Sequence, residues 1–333
     1  MSHVIRTSYQ EPSQVISPKE IQAILDQRKW QTVDINIEHH DLVNYIKFLD
    51  DAVVVRSGPE GVPLMTTTAI YGPIRPGTKV ALCPGEGTGV RLIDEHCNHE
   101  SLIEQLEDLE KKAPPPGTGY AVTVNANWIS WANGGGLPGI DGSANIFGGT
   151  GSLYVNDESV ILPVLDVSDP GYHQTLAFYG GKLLMPQEEF CMGFSEILFG
   201  MEYNTSLPDY IRSYAMSPFG GGGLFVEHHP FPHIFMPRPT EKGEVFCEAK
   251  VTLGHKVVNP AGNQPQFMFT TFRVPADGSA LAIKPSAIHN DSFTNGRLAV
   301  FVANTPADTV AFRETSPFTN LRVKDKVPPI PGL

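Results

Sequence analysis

The sequence predicts a mainly β protein with a few short helices. It contains 32 Gly and 29 Pro among 333 residues, and so many turn-forming residues favour short strands joined by tight turns. Runs of β-branched or alternating apolar residues, bounded by Gly, Pro or Asp, recur along most of the chain. A hydrophobic fraction of 41% with only 18% charged residues is typical of a globular protein with a substantial core.

The first third of the chain carries the helix signals. Ser17 and Pro18 open a segment with a capping-box pattern. Residues 99–112 place leucines and isoleucine at helical spacing, and three consecutive prolines follow the segment. Because strand-like runs surround these segments, we expect residues 1–115 to form an α+β region.

Residues 116–205 are rich in strand signals and predict a β region. Together with residues 40–115, this region is our candidate for a second, degenerate barrel. Its segment 125–136, NANWISWANGGG, combines two tryptophans with three asparagines. Such a mixture suits stacking on, and hydrogen bonding to, a hydroxylated ligand. A plain strand, with Trp in the core and Asn in turns, is the favoured alternative.

Residues 206–333 give the most regular β pattern. From residue 243 to 255 apolar side chains alternate with polar ones, so that Val251 and Leu253 share a face opposite Lys250. Asp277-Gly278 predicts a hairpin turn between two further strands. Several strands in close succession predict an antiparallel barrel or sandwich here.

The segment VEHHPFPHIFMPRP, residues 226–239, holds three of the chain's 11 histidines. In extended backbone His229 and His233 have the same parity, so both imidazoles can point to one side, whereas His228 points to the other. The two prolines between them stiffen the segment and lower the entropy cost of holding two ligands. The alternative is aromatic and proline packing with hydrogen-bonded surface histidines.

Other residues can complete a metal site. Glu244 begins the next strand and could supply an anionic ligand; Glu248 shares its face and is the rival candidate. His289 lies near the end of a later strand. Three imidazoles and one carboxylate suit a divalent ion such as Zn, Mn, Fe or Ni. The predicted metal ligands are therefore His229, His233, Glu244 and His289.

Two other clusters are weaker candidates. His96 and His99 could share a helix face and ligate a metal, although polar capping at a helix start is the ordinary and favoured explanation. The glycines of residues 83–91 lack the Lys-Ser/Thr of a phosphate-binding P-loop and predict only a turn. The four cysteines contain no CxxC pair, which favours buried reduced thiols over a zinc ribbon.

Charge and hydropathy limit the partners. The formal net charge is −12 and no Lys/Arg-rich run occurs, so we expect neither nucleic acid nor an anionic membrane as a partner. No apolar stretch approaches the roughly 18 residues of a membrane span. The first residues lack the apolar segment of a signal peptide. These features predict a soluble cytoplasmic protein with a small-molecule substrate.

The histidine pattern resembles the cupin superfamily, whose small β-barrels bind a metal through two motifs. The first cupin motif has two histidines, a glutamate and a glycine, matched here by His229, His233, Glu244 and Gly254. The second has a glycine, a proline and a histidine, matched by Gly278, Pro285 and His289. The resemblance covers about residues 220–305 and implies a cupin-type antiparallel barrel, a bicupin arrangement with one degenerate barrel, and a homodimer.

The resemblance also implies chemistry. We expect a metal-dependent isomerase or lyase, of the dehydratase or tautomerase type, acting on a small oxygenated, sugar-like or keto compound. Glu248 or His228 would move the proton. The runner-up is a non-haem iron dioxygenase, whose aromatic substrate would lie among phenylalanines such as Phe231 and Phe235. A non-catalytic binding cupin is the third hypothesis. Metal identity and oxygen consumption discriminate between the first two hypotheses, and metal content tests the third.

Overall fold

The computed structural model describes most of the chain in separate ranges. They are residues 4–6, 55–57, 63–83, 89–94, 100–134, 150–155, 159–205, 224–238, 249–260, 264–291, 296–303, 307–314 and 322–326, with Cys97, Gly262, Phe293, Thr294 and Thr305 between them.

Strands dominate these ranges. In chain order the elements are β1 (Val4–Arg6), β2 (Val55–Ser57), β3 (Pro63–Ile74), β4 (Lys79–Cys83), β5 (Gly89–Asp94), α1 (Leu102–Lys112), β6 (Val122–Ile129), β7 (Thr150–Val155), β8 (Ser159–Asp166), α2 (His173–Phe178), β9 (Gly181–Leu184), β10 (Glu189–Cys191), β11 (Leu198–Thr205), β12 (Phe225–His228), β13 (His233–Pro237), β14 (Ala249–Val257), β15 (Gln266–Val274), β16 (Ala280–Ile283), β17 (Ile288–Asn290), β18 (Gly296–Val302), β19 (Asp308–Glu314) and β20 (Arg322–Lys326). The predicted mainly β class is confirmed.

Seven strands close into a barrel. Their order is β14-β17-β12-β19-β7-β6-β15, and pairing of β15 with β14 completes the circle. The pair β19–β7 is parallel and the other neighbours are antiparallel, so the barrel is mixed rather than antiparallel throughout. Strands β6 and β7 precede residue 206. The barrel therefore draws on both the 116–205 and the 206–333 regions.

Strands β8 and β20 extend from β15 by parallel pairing, and two open sheets complete the described fold. An eight-stranded sheet runs β1-β3-β11-β18-β13-β16-β9, with β2 paired to β3, and a three-stranded sheet runs β10-β4-β5. In the described residues the N-terminal strands thus belong to open sheets and to the shared barrel, and no second closed barrel is formed there. The bicupin arrangement is not supported by these pairings.

Alternation along the barrel strands separates two cores. One buried cluster collects one face of the barrel strands, including Val124, Leu153, Val226, Phe269 and Val310. The second cluster joins the opposite face, including Phe225, Val251 and Leu253, to Phe235 and Val300 of the eight-stranded sheet. Because strand side chains alternate between faces, the first cluster fills the barrel. The second cluster packs between the barrel wall and the eight-stranded sheet.

Helix α1 confirms the segment predicted at 99–112. Ser101 is its N-cap, and the Ser101 and Glu104 side chains form a reciprocal capping box. Leu102 and Leu106 are fully buried. The helix segment opening at Ser17 lies outside the described residues.

Two local predictions are wrong. Asp277-Gly278 forms a turn, with Ser279 N–H bonded to the Asp277 carboxylate, but it joins β15 of the barrel to β16 of the eight-stranded sheet and makes no hairpin. Cys97 and Cys191 are not reduced thiols but a disulfide, with Cα atoms 5.9 Å apart. Cys83 is buried, and its thiol lies 3.9 Å from Gln187 Oε1; Cys247 lies outside the described residues.

Candidate metal centre

The chain crosses from the barrel to the eight-stranded sheet at the histidine-rich segment. Strand β12 ends at His228 in the barrel wall, and β13 begins at His233 in the open sheet. His229 lies in the four-residue connection, where two prolines interrupt strand pairing. The proline-rich segment therefore connects the barrel to the eight-stranded sheet, and the imidazoles of His229 and His233 lie at this connection.

Two further side chains join these imidazoles from the barrel wall. Glu227 of β12 is directly opposite His289 of β17 in the sheet register, so their side chains lie on the same face. His289 is also opposite Leu253, which packs in the core between the barrel and the eight-stranded sheet. The cluster therefore lies where the barrel wall meets that sheet.

The four ligand atoms converge. One nitrogen or oxygen from each of Glu227, His229, His233 and His289 lies within 4.8 Å of all the others. The three imidazole centroids are 4.3, 4.7 and 4.8 Å apart. The Nε2 atoms of His229 and His233 are 2.8 Å apart, and His289 Nε2 is 3.7 Å from Glu227 Oε1.

In each histidine of the cluster, a backbone carbonyl oxygen is bonded to Nδ1, the ring nitrogen that does not face the other ligand atoms. The Nδ1 atoms of His229, His233 and His289 lie 2.9, 2.5 and 2.9 Å from the carbonyl oxygens of Phe231, Phe301 and Ala287. A carbonyl oxygen only accepts, so each Nδ1 is assigned as the N–H donor. Each Nε2 lone pair then points into the cluster, as it does in metal-binding histidines.

The histidines are kept neutral by their surroundings. All three are almost completely buried, at 2–5% relative exposure. Burial lowers the pKa of His229, and the neighbouring His233 and His289 lower it further. Burial followed by His289 lowers the pKa of His233. Burial also lowers the pKa of His289, against an opposing effect of Glu227. Neutral imidazole is the form that ligates metals.

Glu227 supplies the anionic member and is itself oriented. The Thr309 hydroxyl donates to Glu227 Oε2 at 2.8 Å, which leaves Oε1 on the side of His289. A hydrogen bond of this kind to a ligating carboxylate is a usual feature of metal sites.

The donor set fits a divalent metal. Two Nε2 lone pairs that face each other at 2.8 Å cannot hydrogen bond when both Nδ1 atoms carry the protons. The buried Nε2 of His289 makes no hydrogen bond to any described residue. A cation among these atoms would satisfy all three lone pairs at once. Three imidazole nitrogens and one carboxylate oxygen form a set that Zn, Mn, Fe and Ni accept.

The structure brings three of the four predicted ligands together. His229, His233 and His289 converge, whereas Glu244 and the rival Glu248 lie outside the described residues. Glu227 was missed by the sequence reasoning, although one signal could have found it. It is two residues before His229 and shares its parity.

His228 lies on the other face of β12. Its ring packs against Trp128, with centroids 5.1 Å apart, and its Nε2 is 3.5 Å from Asp308 Oδ2. Trp128 packs against the core that fills the barrel. His228 thus faces the barrel interior, with the β12 backbone between its side chain and that of Glu227.

Phenylalanines surround the imidazoles. Phe231 stacks on His229 at 3.6 Å between centroids, and Phe235 lies 5.0 Å from His233 and 5.8 Å from His289. Phe267 and Phe269 belong instead to the core inside the barrel. His96 and His99 lie outside the described residues.

No protein-family model, curated protein or solved structure matches this chain. The likeness to cupins therefore rests on the two sequence motifs, on the barrel and on the His/Glu cluster. Among the described residues no helix is long and apolar enough to cross a membrane.

Proposed function

We propose that the protein binds a divalent transition metal through His229, His233, His289 and Glu227. The observation that carries this proposal is the convergence of the Nε2 atoms of the three histidines. In each of these rings the other nitrogen, Nδ1, is already bonded to a backbone carbonyl oxygen. Buried polar atoms normally have partners, and a cation is the partner that this geometry would accept.

The proposal extends to catalysis as a metal-dependent isomerase or lyase on a small oxygenated, sugar-like or keto compound. A bound divalent ion supplies Lewis-acid polarisation of a substrate oxygen. Glu227 is the most exposed of the four ligands, so substrate would approach from its side. Glu248 would carry the proton, since the side chain of His228 lies on the opposite face of β12 from the ligands. The resemblance to cupins supports this chemistry, and the net charge of −12 favours a small molecule over nucleic acid as the partner. A homodimer, which the resemblance to cupins implies, completes the proposal.

A cupin-type iron dioxygenase is the second candidate function. The rings of Phe231 and Phe235 pack against the ligand imidazoles, and such an apolar setting suits an aromatic substrate. Iron content with oxygen uptake would exclude the isomerase or lyase. Zinc or manganese content without oxygen uptake would exclude the dioxygenase. Less than stoichiometric metal, even after reconstitution, would favour a non-catalytic binding cupin.

The metal site is tested by elemental analysis of purified protein and of His289→Ala. We expect about one metal per chain in the wild type and loss of metal in the variant, with an unchanged β-type circular dichroism spectrum. The loss of metal affinity in His289→Ala should exceed the roughly 10–100-fold loss caused by removing a group that only hydrogen bonds to a metal ligand. His173→Ala, in α2, is the control because its ring is bonded to Val167 O outside the cluster. Full metal content in His289→Ala would refute the proposed ligand set.

A further inference from the structure

Residues 284–287, the turn between β16 and β17, touch two of the proposed ligands through backbone groups. The N–H of Ser286 donates to the carbonyl oxygen of His229 at 2.8 Å. The carbonyl oxygen of Ala287 accepts from His289 Nδ1 at 2.9 Å. This turn therefore contacts the backbone of one ligand and the imidazole of another.

The turn has a constrained shape. Ser286 has φ of 61°, in the left-handed region that residues other than glycine rarely occupy. The side chain of Ser286 is exposed, so no buried contact of its own explains that conformation. The Lys284 N–H donates to Gly180 O at 2.9 Å, and the Ala287 N–H donates to Lys284 O at 3.3 Å. The strained residue lies between the two contacts with the cluster.

An ion pair fixes the turn from outside the cluster. The Lys284 ammonium is 2.8 Å from Glu110 Oε2 of α1, and both side chains are largely shielded from solvent. The other oxygen of Glu110 is 3.5 Å from His255 Nδ1 of β14. Gly180 leaves room for the aliphatic part of Lys284, because a Cβ there would lie 2.6 Å from Lys284 Cδ. Helix α1 thus contacts the turn beside the cluster through the Glu110–Lys284 ion pair.

We infer that Lys284 and Ser286 are positioning residues for the metal centre. Held by Glu110, they set the orientation of His289 and the backbone position of His229. This inference rests on the proposed metal site, and it adds the device that keeps the imidazoles aligned. Partners of this type orient the ligands of known metal sites.

The first test compares Lys284→Met with Lys182→Met. Methionine keeps the apolar stem of Lys284 and removes the charge that binds Glu110. Lys182 makes a similarly shielded ion pair with Glu188, at 2.7 Å, in the neighbouring strand β9. We expect Lys284→Met to weaken zinc binding about 10-fold and to alter the visible spectrum of the cobalt-substituted protein. Lys182→Met should match the wild type in both measurements.

The second test changes the backbone preference of the turn. Glycine adopts a positive φ freely, whereas β-branched valine strongly disfavours it. Because the Ser286 side chain is exposed, neither substitution removes buried packing. We expect Ser286→Gly to keep wild-type zinc affinity and Ser286→Val to weaken it about 10-fold. Equal affinity in Ser286→Val and Ser286→Gly, together with wild-type affinity in Lys284→Met, would overturn the inference.

A measurement on metal-free protein separates this inference from the proposed function. In spectra of ¹⁵N-histidine-labelled protein, the Nδ1–H signal of His289 should shift in Lys284→Met and stay unchanged in Lys182→Met. If the wild type binds no metal but this signal responds, the proposed function fails and the positioning role stands. If metal binds normally and the signal does not respond, the positioning role fails and the proposed function stands.

Discussion

Glu227 is the residue that gives the cluster its charge. The three imidazoles are neutral because burial lowers their pKa values, so among the four ligands only the carboxylate offsets a divalent cation. Thr309 holds Oε2 of that carboxylate, and this bond decides which oxygen faces the histidines. Charge and orientation can therefore be removed separately.

Glu227→Gln should lower zinc affinity by more than the roughly 10-fold expected for loss of an outer partner, because the amide keeps the size and the Thr309 contact but loses the charge that binds the cation. Thr309→Val should lower it about 10-fold, since the carboxylate stays charged but loses its orienting hydrogen bond. Competition with a chromophoric zinc chelator measures both. Glu196→Gln is the matched control, because Glu196 accepts from the Thr305 hydroxyl away from the cluster. Wild-type affinity in Glu227→Gln would exclude Glu227 as a ligand.

The spacing of the histidines predicted part of this arrangement. His229 and His233 do converge, although they lie on a bent connection and on the next strand rather than on one extended strand. Glu227 has the same parity as His229, but the cupin motif places its carboxylate after the histidines. Here the carboxylate precedes them. The local pattern was sufficient to include Glu227 as a candidate, whereas only the register with His289 singles it out.

Among the elements, β12 presents a different group on each face. Its Glu227 faces the cluster, whereas His228 faces Asp308 at the start of β19. The Asp308 carboxylate also accepts from Trp128 Nε1 at 2.8 Å and from Ser130 Oγ at 2.6 Å. One carboxylate therefore ties the end of β6 to β19 and β12 at one end of the barrel.

Asp308→Ala should destabilise the protein by about 1.5–3 kcal/mol, the usual cost of losing hydrogen bonds to a charged group. Zinc affinity should be unchanged, because Asp308 lies on the face of the wall away from the ligands. Denaturant unfolding measures the first effect and a zinc titration the second. Asp166→Ala is a suitable comparison, since Asp166 also accepts two bonds but only from the nearby exposed Ser168. We expect Asp166→Ala to lower the free energy of unfolding by less than about 1 kcal/mol. A comparable loss of zinc affinity in Asp308→Ala would show that the two faces are coupled.

The local sequence predicted the positions of strands and turns better than it predicted which strands pair. The alternation in β14 is confirmed, since Val251 and Leu253 are fully buried and Lys250 is partly exposed. The Asp277-Gly278 turn also forms, yet β15 and β16 belong to different sheets. Consecutive strands usually pair, and a turn motif alone does not report when the chain instead changes sheets. The domain limits at residues 115 and 205 stay a prediction.

For the whole molecule, the candidate metal centre lies at the junction of the two largest sheets. His233 belongs to the eight-stranded sheet, and Glu227 and His289 belong to the barrel. A bound ion would therefore connect the two layers by coordination bonds, in addition to the apolar core that joins them. Metal binding and folding stability are then linked.

Zinc at about 1,000 times its Kd should stabilise the protein by about 4 kcal/mol, by mass action. Hydrogen exchange should slow in β13 and in β17 together, because the ion holds one strand from each layer. Calorimetry and exchange mass spectrometry measure the two effects. Calcium, which prefers oxygen ligands, should produce neither. Protection restricted to one layer would show that the ion does not connect them.

The mainly β class, helix α1 and the three histidines of the candidate site could be predicted from the amino-acid sequence, because capping, alternation and spacing are local properties of the chain. The inclusion of β6 and β7 in the barrel, the placement of β13, β16 and β18 in the other sheet, and the contact of Glu227 with His289 became known only from the folded structure. These outcomes depend on pairings between distant segments, whose free energies are set by the packing of the whole molecule rather than by any one stretch of sequence.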